Sequence, residues 1–116
     1  MSSQTKALAA PNVKDANNNQ LKLSAIKGDA VTVHIHAFPP AITEGSRIKL
    51  FTKMGNAEDF AESTVTTVPS IIELKVRKSF FEENLASASS ATFHYTAANV
   101  GGAEETSEKI ILTVVN

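Results

Sequence analysis

The fold of this 116-residue chain is decided by its last quarter, which reads Ser90-Ala-Thr-Phe-His-Tyr-Thr-Ala-Ala-Asn-Val-Gly-Gly102 and closes with Ile110-Ile-Leu-Thr-Val-Val115. Phe93, Tyr95 and Ala97 alternate with polar residues in the first part of this stretch. Alternation with a period of two is typical of a strand with one buried face, and the Asn-Val-Gly-Gly segment supplies a turn. The stretch therefore predicts the last hairpin of a two-sheet β-sandwich.

Earlier segments show the same strand pattern between turn residues. Ala30–Phe38 is the clearest strand, and Pro39-Pro40 stops it because proline cannot donate to a ladder. Shorter strands are predicted around Leu21–Leu23 and within Phe60–Val68. The spacing predicts an all-β, immunoglobulin-like sandwich of about seven antiparallel strands in a Greek-key arrangement. A strand is predicted at Arg47–Lys53, with Ile48 and either Leu50 or Phe51 facing inward, and a loop is predicted at Met54–Asp59. A further strand is predicted at Ile71–Val76, followed by one helical turn that the Ser79-Phe-Phe-Glu82 box caps.

The hydrophobic core follows from the phase of each strand. Residues that share the inward face within a strand repeat every second position. The predicted core consists of Val31, Val33, Ile35, Ile48, Leu50, Ile72, Leu74, Val76, Phe93, Tyr95, Ala97, Ile110 or Ile111, and Leu112.

Residues 1–20 are polar and end in Asn17-Asn-Asn-Gln20, so we expect a flexible N-terminal arm there. Within this arm, a short edge strand is expected around Leu8–Val13. The sandwich domain is assigned to residues 21–116.

Composition excludes several classes of function. The chain has 11 basic and 12 acidic residues, so it lacks the basic face that nucleic-acid binding needs. Cysteine is absent, which excludes a disulfide framework and a thiolate site. No apolar run is long enough to insert into a membrane. The first residues lack a signal-peptide core, so we expect a cytoplasmic protein if Met1 is the native start. A piece of a larger exported protein would instead be extracellular or at the cell surface.

Two sets of residues carry the resemblance to known families. Tyr95–Asn99 with the following glycine turn resembles the last hairpin of fibronectin type III and other immunoglobulin-like domains, in which a tyrosine anchors the corner before the penultimate strand. Gly28–Val33, Phe38–Gly45 and Ser46–Phe51, taken in order, resemble bacterial immunoglobulin-like repeat modules of large surface proteins. The chain departs from antibody domains because it lacks tryptophan and a cysteine pair. The resemblance implies a modular, non-catalytic role.

The candidate catalytic and metal-binding residues are histidines and pairs of adjacent acids. His34 and His36 share a strand face at metal-binding spacing, and His94 is the third histidine. The sandwich topology puts the two strands in opposite sheets, so the three side chains point apart and no metal site is expected. The adjacent acids Glu58-Asp59 and Glu82-Glu83 cannot converge on one bond. No catalytic residue, cofactor or metal ligand is therefore assigned, and Asp15–Asn19 is expected to be a polar arm, not a calcium loop.

Phe80 and Phe81 are the candidate partner-contact residues. Either both rings plug the end of the sandwich, or one of them is partly exposed and marks a contact surface.

The resemblance implies a structural or spacer module of a larger bacterial adhesin-like surface protein, joined to neighbouring domains or to a protein partner. The alternative is a stand-alone protein- or carbohydrate-binding sandwich; a sugar platform is disfavoured because there is no tryptophan and the single tyrosine is assigned to the corner.

Overall fold

Strand formation dominates the structure, as the alternating sequence pattern requires. The computed structural model describes residues 8–38, 42–102 and 104–116. Within them the strands are β1 (Asn12–Val13), β2 (Ala16–Asn17), β3 (Gln20–Lys22), β4 (Ala30–Ala37), β5 (Arg47–Met54), β6 (Ala57–Thr64), β7 (Ser70–Arg77), β8 (Ser90–Ala98), β9 (Glu104–Thr106) and β10 (Ile110–Val115). One α-helix, α1 (Lys78–Asn84), connects β7 to β8, and a short 3-10 helix covers Leu23–Ala25. Pro39-Pro40, which we expect to end the strand now labelled β4, lies outside the described residues.

The strands form two sheets that face each other. The smaller sheet has the order β1-β4-β7, and the larger has the order β2-β3-β10-β8-β5-β6, with β9 also paired to β8. The chain crosses between the sheets five times, from β1 to β2, β3 to β4, β4 to β5, β6 to β7 and β7 to β8. The predicted all-β sandwich is confirmed, and the strands in excess of seven are segments of only two or three residues.

The predicted core is confirmed almost completely. Each long inner strand buries alternate residues, as in the fully buried set Val31, Val33 and Ile35 of β4. Burial of one such aliphatic side chain contributes about 1.5–3 kcal/mol. Ile72 is only partly buried, and of the two alternatives in β10 Ile110 is partly buried while Ile111 is 64% exposed. The buried residues absent from the prediction include Leu8, Val13, Leu21, Leu23, Ile26, Ile42, Met54, Val65 and Val114.

Residues 8–20 belong to the sandwich, which corrects the expected arm. Leu8 and Val13 are buried, and β1 pairs with β4 through Asn12 opposite His34. The Asp15 carboxylate accepts a hydrogen bond from the Thr32 backbone N–H at 2.8 Å, which ties the segment to β4 again. The domain boundary predicted at residue 20 is therefore wrong for this part of the chain, whereas residues 1–7 lie outside the described residues.

The predicted loop at Met54–Asp59 is wrong. Met54 pairs directly with Ala57, so only Gly55 and Asn56 form the turn between β5 and β6. Gly55 has φ +63°, a conformation that glycine adopts without steric cost. The hairpin register also places Leu50 in the core and Phe51 on the outer face, which decides between the two residues that the sequence left open.

Helix α1 begins one residue earlier than the predicted capping box. Arg77 occupies the N-cap position without a side-chain cap, so Ser79 does not cap the helix and the box prediction is wrong. Phe80 and Phe81 are 4% and 0% exposed, and the Phe81 ring lies 6.0 Å from that of Phe93. Of the two alternatives, burial of both rings is the one that the structure shows, because α1 lies across the end of the sandwich and turns both rings inward. Neither ring offers a contact surface in this structure.

The hydrogen bonds of Ser107 stabilise the last hairpin, and the conformation of Gly45 permits the turn beside it. Ser107 separates β9 from β10; its backbone N–H donates to the Tyr95 carbonyl at 2.8 Å, and its hydroxyl accepts the Tyr95 N–H at 2.9 Å. Gly45 has φ +88°, and a Cβ at this position would lie only 2.7 Å from the Val100 side chain. Tyr95 itself is buried, which raises the pKa of its phenol; the corner role of its hydroxyl stays a prediction.

Candidate functional site

The three histidines lie on different outer faces, as the topology requires. His34 and His36 are on β4 of the smaller sheet, whereas His94 is on β8 of the larger sheet. His34 Nε2 lies 3.3 Å from a carboxylate oxygen of Glu73, and this contact, with the ammonium of Lys75, holds the pKa of Glu73 below its ordinary value. Across the described ranges, no group of three or more histidine, cysteine or acidic side chains is arranged to hold a metal ion.

The candidate carboxylate pairs do not converge on a common point. Glu58 and Asp59 are adjacent in β6, so their side chains leave opposite faces of the strand. Glu82 lies 3.9 Å from Lys78 one turn earlier in α1, and Glu83 is exposed. No acid–base arrangement results from either pair. The Asp15–Asn19 segment is a hairpin in which Asn18 and Asn19 adopt positive φ values.

An aromatic row on the outer face of the larger sheet is the most distinctive surface feature. The row consists of Phe60, Phe51 and His94, which lie opposite one another on β6, β5 and β8. The Phe51 and His94 rings are stacked at 4.8 Å with an interplanar angle of 5°, and Phe51 meets Phe60 edge-on at 5.2 Å. Phe60 is 50% exposed, so the row ends in an accessible ring at the rim of the sheet.

Charged groups surround the aromatic row. The Lys49 ammonium lies 4.6 Å from the centre of the Phe60 ring and 5.3 Å from that of Phe51, within the range of cation–π attraction. Partial burial and, after it, the nearby Lys109 ammonium lower the pKa of His94, which favours the neutral ring. A neutral imidazole stacks on Phe51 with less desolvation cost than a charged one. The row is therefore an apolar strip with lysines beside Phe51 on β5 and the carboxylates of Glu58 and Glu62 beside Phe60 on β6.

The sequence contains a signal for this row in the turn between β5 and β6. A two-residue turn at Gly55-Asn56 forces Met54 to pair with Ala57, and counting back along both strands then places Phe51 opposite Phe60. Aromatic pairs on a sheet face interact across strands, so this register predicts their contact. A loop at Met54–Asp59 leaves the register between the two strands undetermined, so the contact does not follow from that prediction.

Strand β6 is the terminal strand of the larger sheet, and we call its side away from β5 the β6 edge. The Phe60 backbone N–H donates to Asp59 Oδ1 at 3.0 Å. The second oxygen of Asp59 lies 3.6 Å from Arg77 Nε on β7, the edge strand of the smaller sheet. Asp59 thus satisfies one donor of an edge with which no other described strand pairs.

A second apolar patch lies on the outer face of the other sheet. The rings of His36 and Phe38 are 5.6 Å apart, and Ile71 lies opposite His36 in the register of β4 and β7. Phe38 and Ile71 are about half exposed. Single exposed apolar residues are common on protein surfaces, so this patch is less distinctive than the aromatic row.

The sheet order, the crossovers and the buried inner faces define an immunoglobulin-like β-sandwich domain. A crystal structure of a bacterial immunoglobulin-like domain from the M. primoryensis ice-binding adhesin is similar, with a TM-score of 0.52. The two share 18% sequence identity over 96% of this chain and 100% of that chain, a level at which the likeness concerns the fold. No protein-family model matches the sequence, and no curated protein matches it either. Among the described residues, no helix is long and apolar enough to cross a membrane.

Proposed function

We propose that this domain is a non-catalytic structural module of a larger bacterial cell-surface protein of the adhesin type, in which it spaces or presents a binding part. The observation that carries the proposal is the path of the chain: Leu8, the first described residue, lies beside the middle of β8, whereas β10 runs from there to one end of the sheet. Immunoglobulin-like folds are typically not catalytic, and function has to be argued from the site and not from the fold.

The positions of the first and last strands support an in-line module. Leu8 forms a parallel bridge with Ser107 beside the middle of β8, and β10 then runs to Val115, which pairs with Lys22 in parallel register. Ser107 lies beside Tyr95 and Thr113 lies opposite Ser90, so Val115 lies about seven residues, or roughly 23 Å, farther along the axis of β8. Because these two points are displaced along the strand axis, neighbouring modules can be linked in line without the chain crossing back over the domain.

The similarity in fold to an adhesin domain supports a location for this module. The neighbouring structure is one immunoglobulin-like domain of a bacterial adhesin. By analogy, we place the present domain outside the cell, with adjacent domains of the same polypeptide as its first partners. This placement requires no nucleic acid, membrane insertion or cofactor.

The test is the size and accessibility of the native polypeptide. An antibody raised against the domain is used to probe source cells, intact and lysed, with and without protease added outside. We expect a band far above the 12.4 kDa of this chain that disappears when intact cells are treated. A protease-protected band near 12.4 kDa would refute the surface-module proposal and leave a small stand-alone protein.

A second candidate function is a protein-binding module, and one observation favours it. The exposed Phe60 ring stands beside an edge strand whose outer side no described strand pairs with. Exposed apolar groups next to free backbone donors and acceptors are typical of surfaces that add a strand from a partner. Binding of a defined peptide to this edge tests the candidate directly.

A further inference from the structure

We propose that the β6 edge binds an extended basic segment of a partner protein as an added antiparallel strand, with two lysines flanking an apolar residue in a Lys-x-apolar-x-Lys pattern. This inference rests on the second candidate function, the protein-binding module, and assigns one kind of partner to it. It does not depend on the spacer role, because it concerns a lateral edge of the sandwich.

The backbone of β6 is oriented to accept a strand. The Phe60 N–H donates to Asp59 Oδ1, so this N–H points away from β5 and toward the open side. Backbone orientation repeats every second residue in a strand, so Glu58 and Glu62 also turn their N–H and C=O groups outward. Glu58, Phe60 and Glu62 therefore offer their backbone groups to an added strand at three alternate positions of β6.

Strand β5 shows which side chains fit beside these positions. Lys49 lies opposite Glu62, Phe51 opposite Phe60, and a lysine, Lys53, opposite Glu58. The outer face of β6 thus accepts a Lys-x-Phe-x-Lys strand on its paired side. Its three outward side chains are exposed and also flank the unpaired side. A second strand with the same pattern would place opposite charges and apolar groups in register again.

The charge of β6 selects against a second copy of the same edge. The strand contains Glu58, Asp59 and Glu62 and no basic residue. Antiparallel pairing of β6 with itself would bring carboxylates opposite carboxylates, which is destabilising. Acidic side chains on an edge strand also protect it from self-association. The occupant that the charges favour is a basic strand from another protein.

Asp59 is the group that an incoming strand must displace. Its carboxylate covers the Phe60 N–H and is held from the other side by Arg77, whose side chain is 65% exposed. A backbone carbonyl of the added strand takes over the Phe60 N–H, and Asp59 then keeps only its ion pair. The exchange replaces one hydrogen bond by another, so the net gain comes from the flanking positions and from burial of the Phe60 ring.

The probe for this proposal is a synthetic peptide with the sequence of Arg47–Met54, the strand that β6 already pairs with. Its binding to the isotope-labelled chain is followed by NMR, with amide shifts and amide hydrogen exchange as readouts. We expect shifts at Glu58, Phe60 and Glu62 and slower exchange of the Phe60 amide. A peptide N-methylated at the position of Phe51 should bind about tenfold more weakly, whereas N-methylation at the position of Leu50, which points away from the edge, should have no effect.

Charge variants of the domain complete the test. Glu58→Lys with Glu62→Lys should weaken peptide binding about tenfold, because two opposite-charge pairs become like-charge pairs. Glu44→Lys with Glu83→Lys makes the same change in net charge at exposed positions outside β6 and should leave binding unchanged. The proposal is overturned if the peptide shifts amides elsewhere or none at millimolar concentration, or if both double variants bind alike. Self-association of the free domain through β6 would likewise overturn it.

Discussion

Replacement of Thr52 by valine should stabilise this domain. Thr52 is on the inner face of β5, 1% exposed, and opposite Phe93 of β8. Its hydroxyl is buried and has no hydrogen-bond partner within the part of the chain that the structure describes. A buried, unpaired hydroxyl costs about 1–3 kcal/mol, and valine replaces it with a methyl group of similar size. We expect Thr52→Val to raise the free energy of unfolding by about 1–2 kcal/mol.

Urea unfolding followed by circular dichroism measures this difference, and thermal unfolding gives an independent value. A gain of 1–2 kcal/mol corresponds to a rise in Tm of about 4–8 °C for a domain of this size. Thr113→Val is the matched control, because Thr113 is exposed on β10 and the same chemical change there should leave stability almost unchanged. If Thr52→Val lowers stability while the control is neutral, the hydroxyl makes a favourable bond and the reasoning is wrong.

Three further predictions concern the last hairpin, a turn and a titrating ring. Ser107→Ala leaves the Tyr95 N–H without its acceptor and should lower the free energy of unfolding by about 1–3 kcal/mol in urea, and unchanged stability contradicts this. Gly45→Ala should cost at least about 1 kcal/mol because of the positive φ and the close contact described above, whereas Gly28→Ala, with open space around the added Cβ, should be close to neutral. His94 should titrate below about 6.5 by NMR. Because its folded pKa is lowered, its contribution to stability is complete above about pH 6.5 and is lost as the pH falls through the folded pKa; a titration above 6.5 contradicts the assigned effect of burial.

Much of the fold was predictable because several strands carry uninterrupted alternation. Strand β8 buries Phe93, Tyr95 and Ala97 in strict phase, so its inner face follows from its sequence alone. The N-terminal strands were not predictable in this way. They contain two or three residues each, too few to show a period, and Leu8 and Val13 are buried only because distant strands pair with their segment.

The candidate site was harder to predict than the core for a related physical reason. A surface row depends on register between strands, and register is set by the turn that joins them. The Gly55-Asn56 turn contained that information, but the contact between Phe60 and the ammonium of Lys49 also requires the strands to be placed in space. Phe80 and Phe81 show the converse case. Two adjacent apolar residues in a helical turn point in different directions, and only the position of α1 across the sandwich end allows both rings to be buried.

The two proposed uses of the domain are compatible because linkage to neighbouring modules and strand addition involve different parts of the domain. Covalent linkage to neighbouring modules uses two points displaced along the strand axis, Leu8 beside Ser107 and Val115 beside Lys22. Strand addition uses the β6 edge, which runs along that strand axis. A row of linked modules would therefore leave each β6 edge open along its side. The acidic side chains of β6 would keep neighbouring copies from pairing through it and leave the edge to a basic strand.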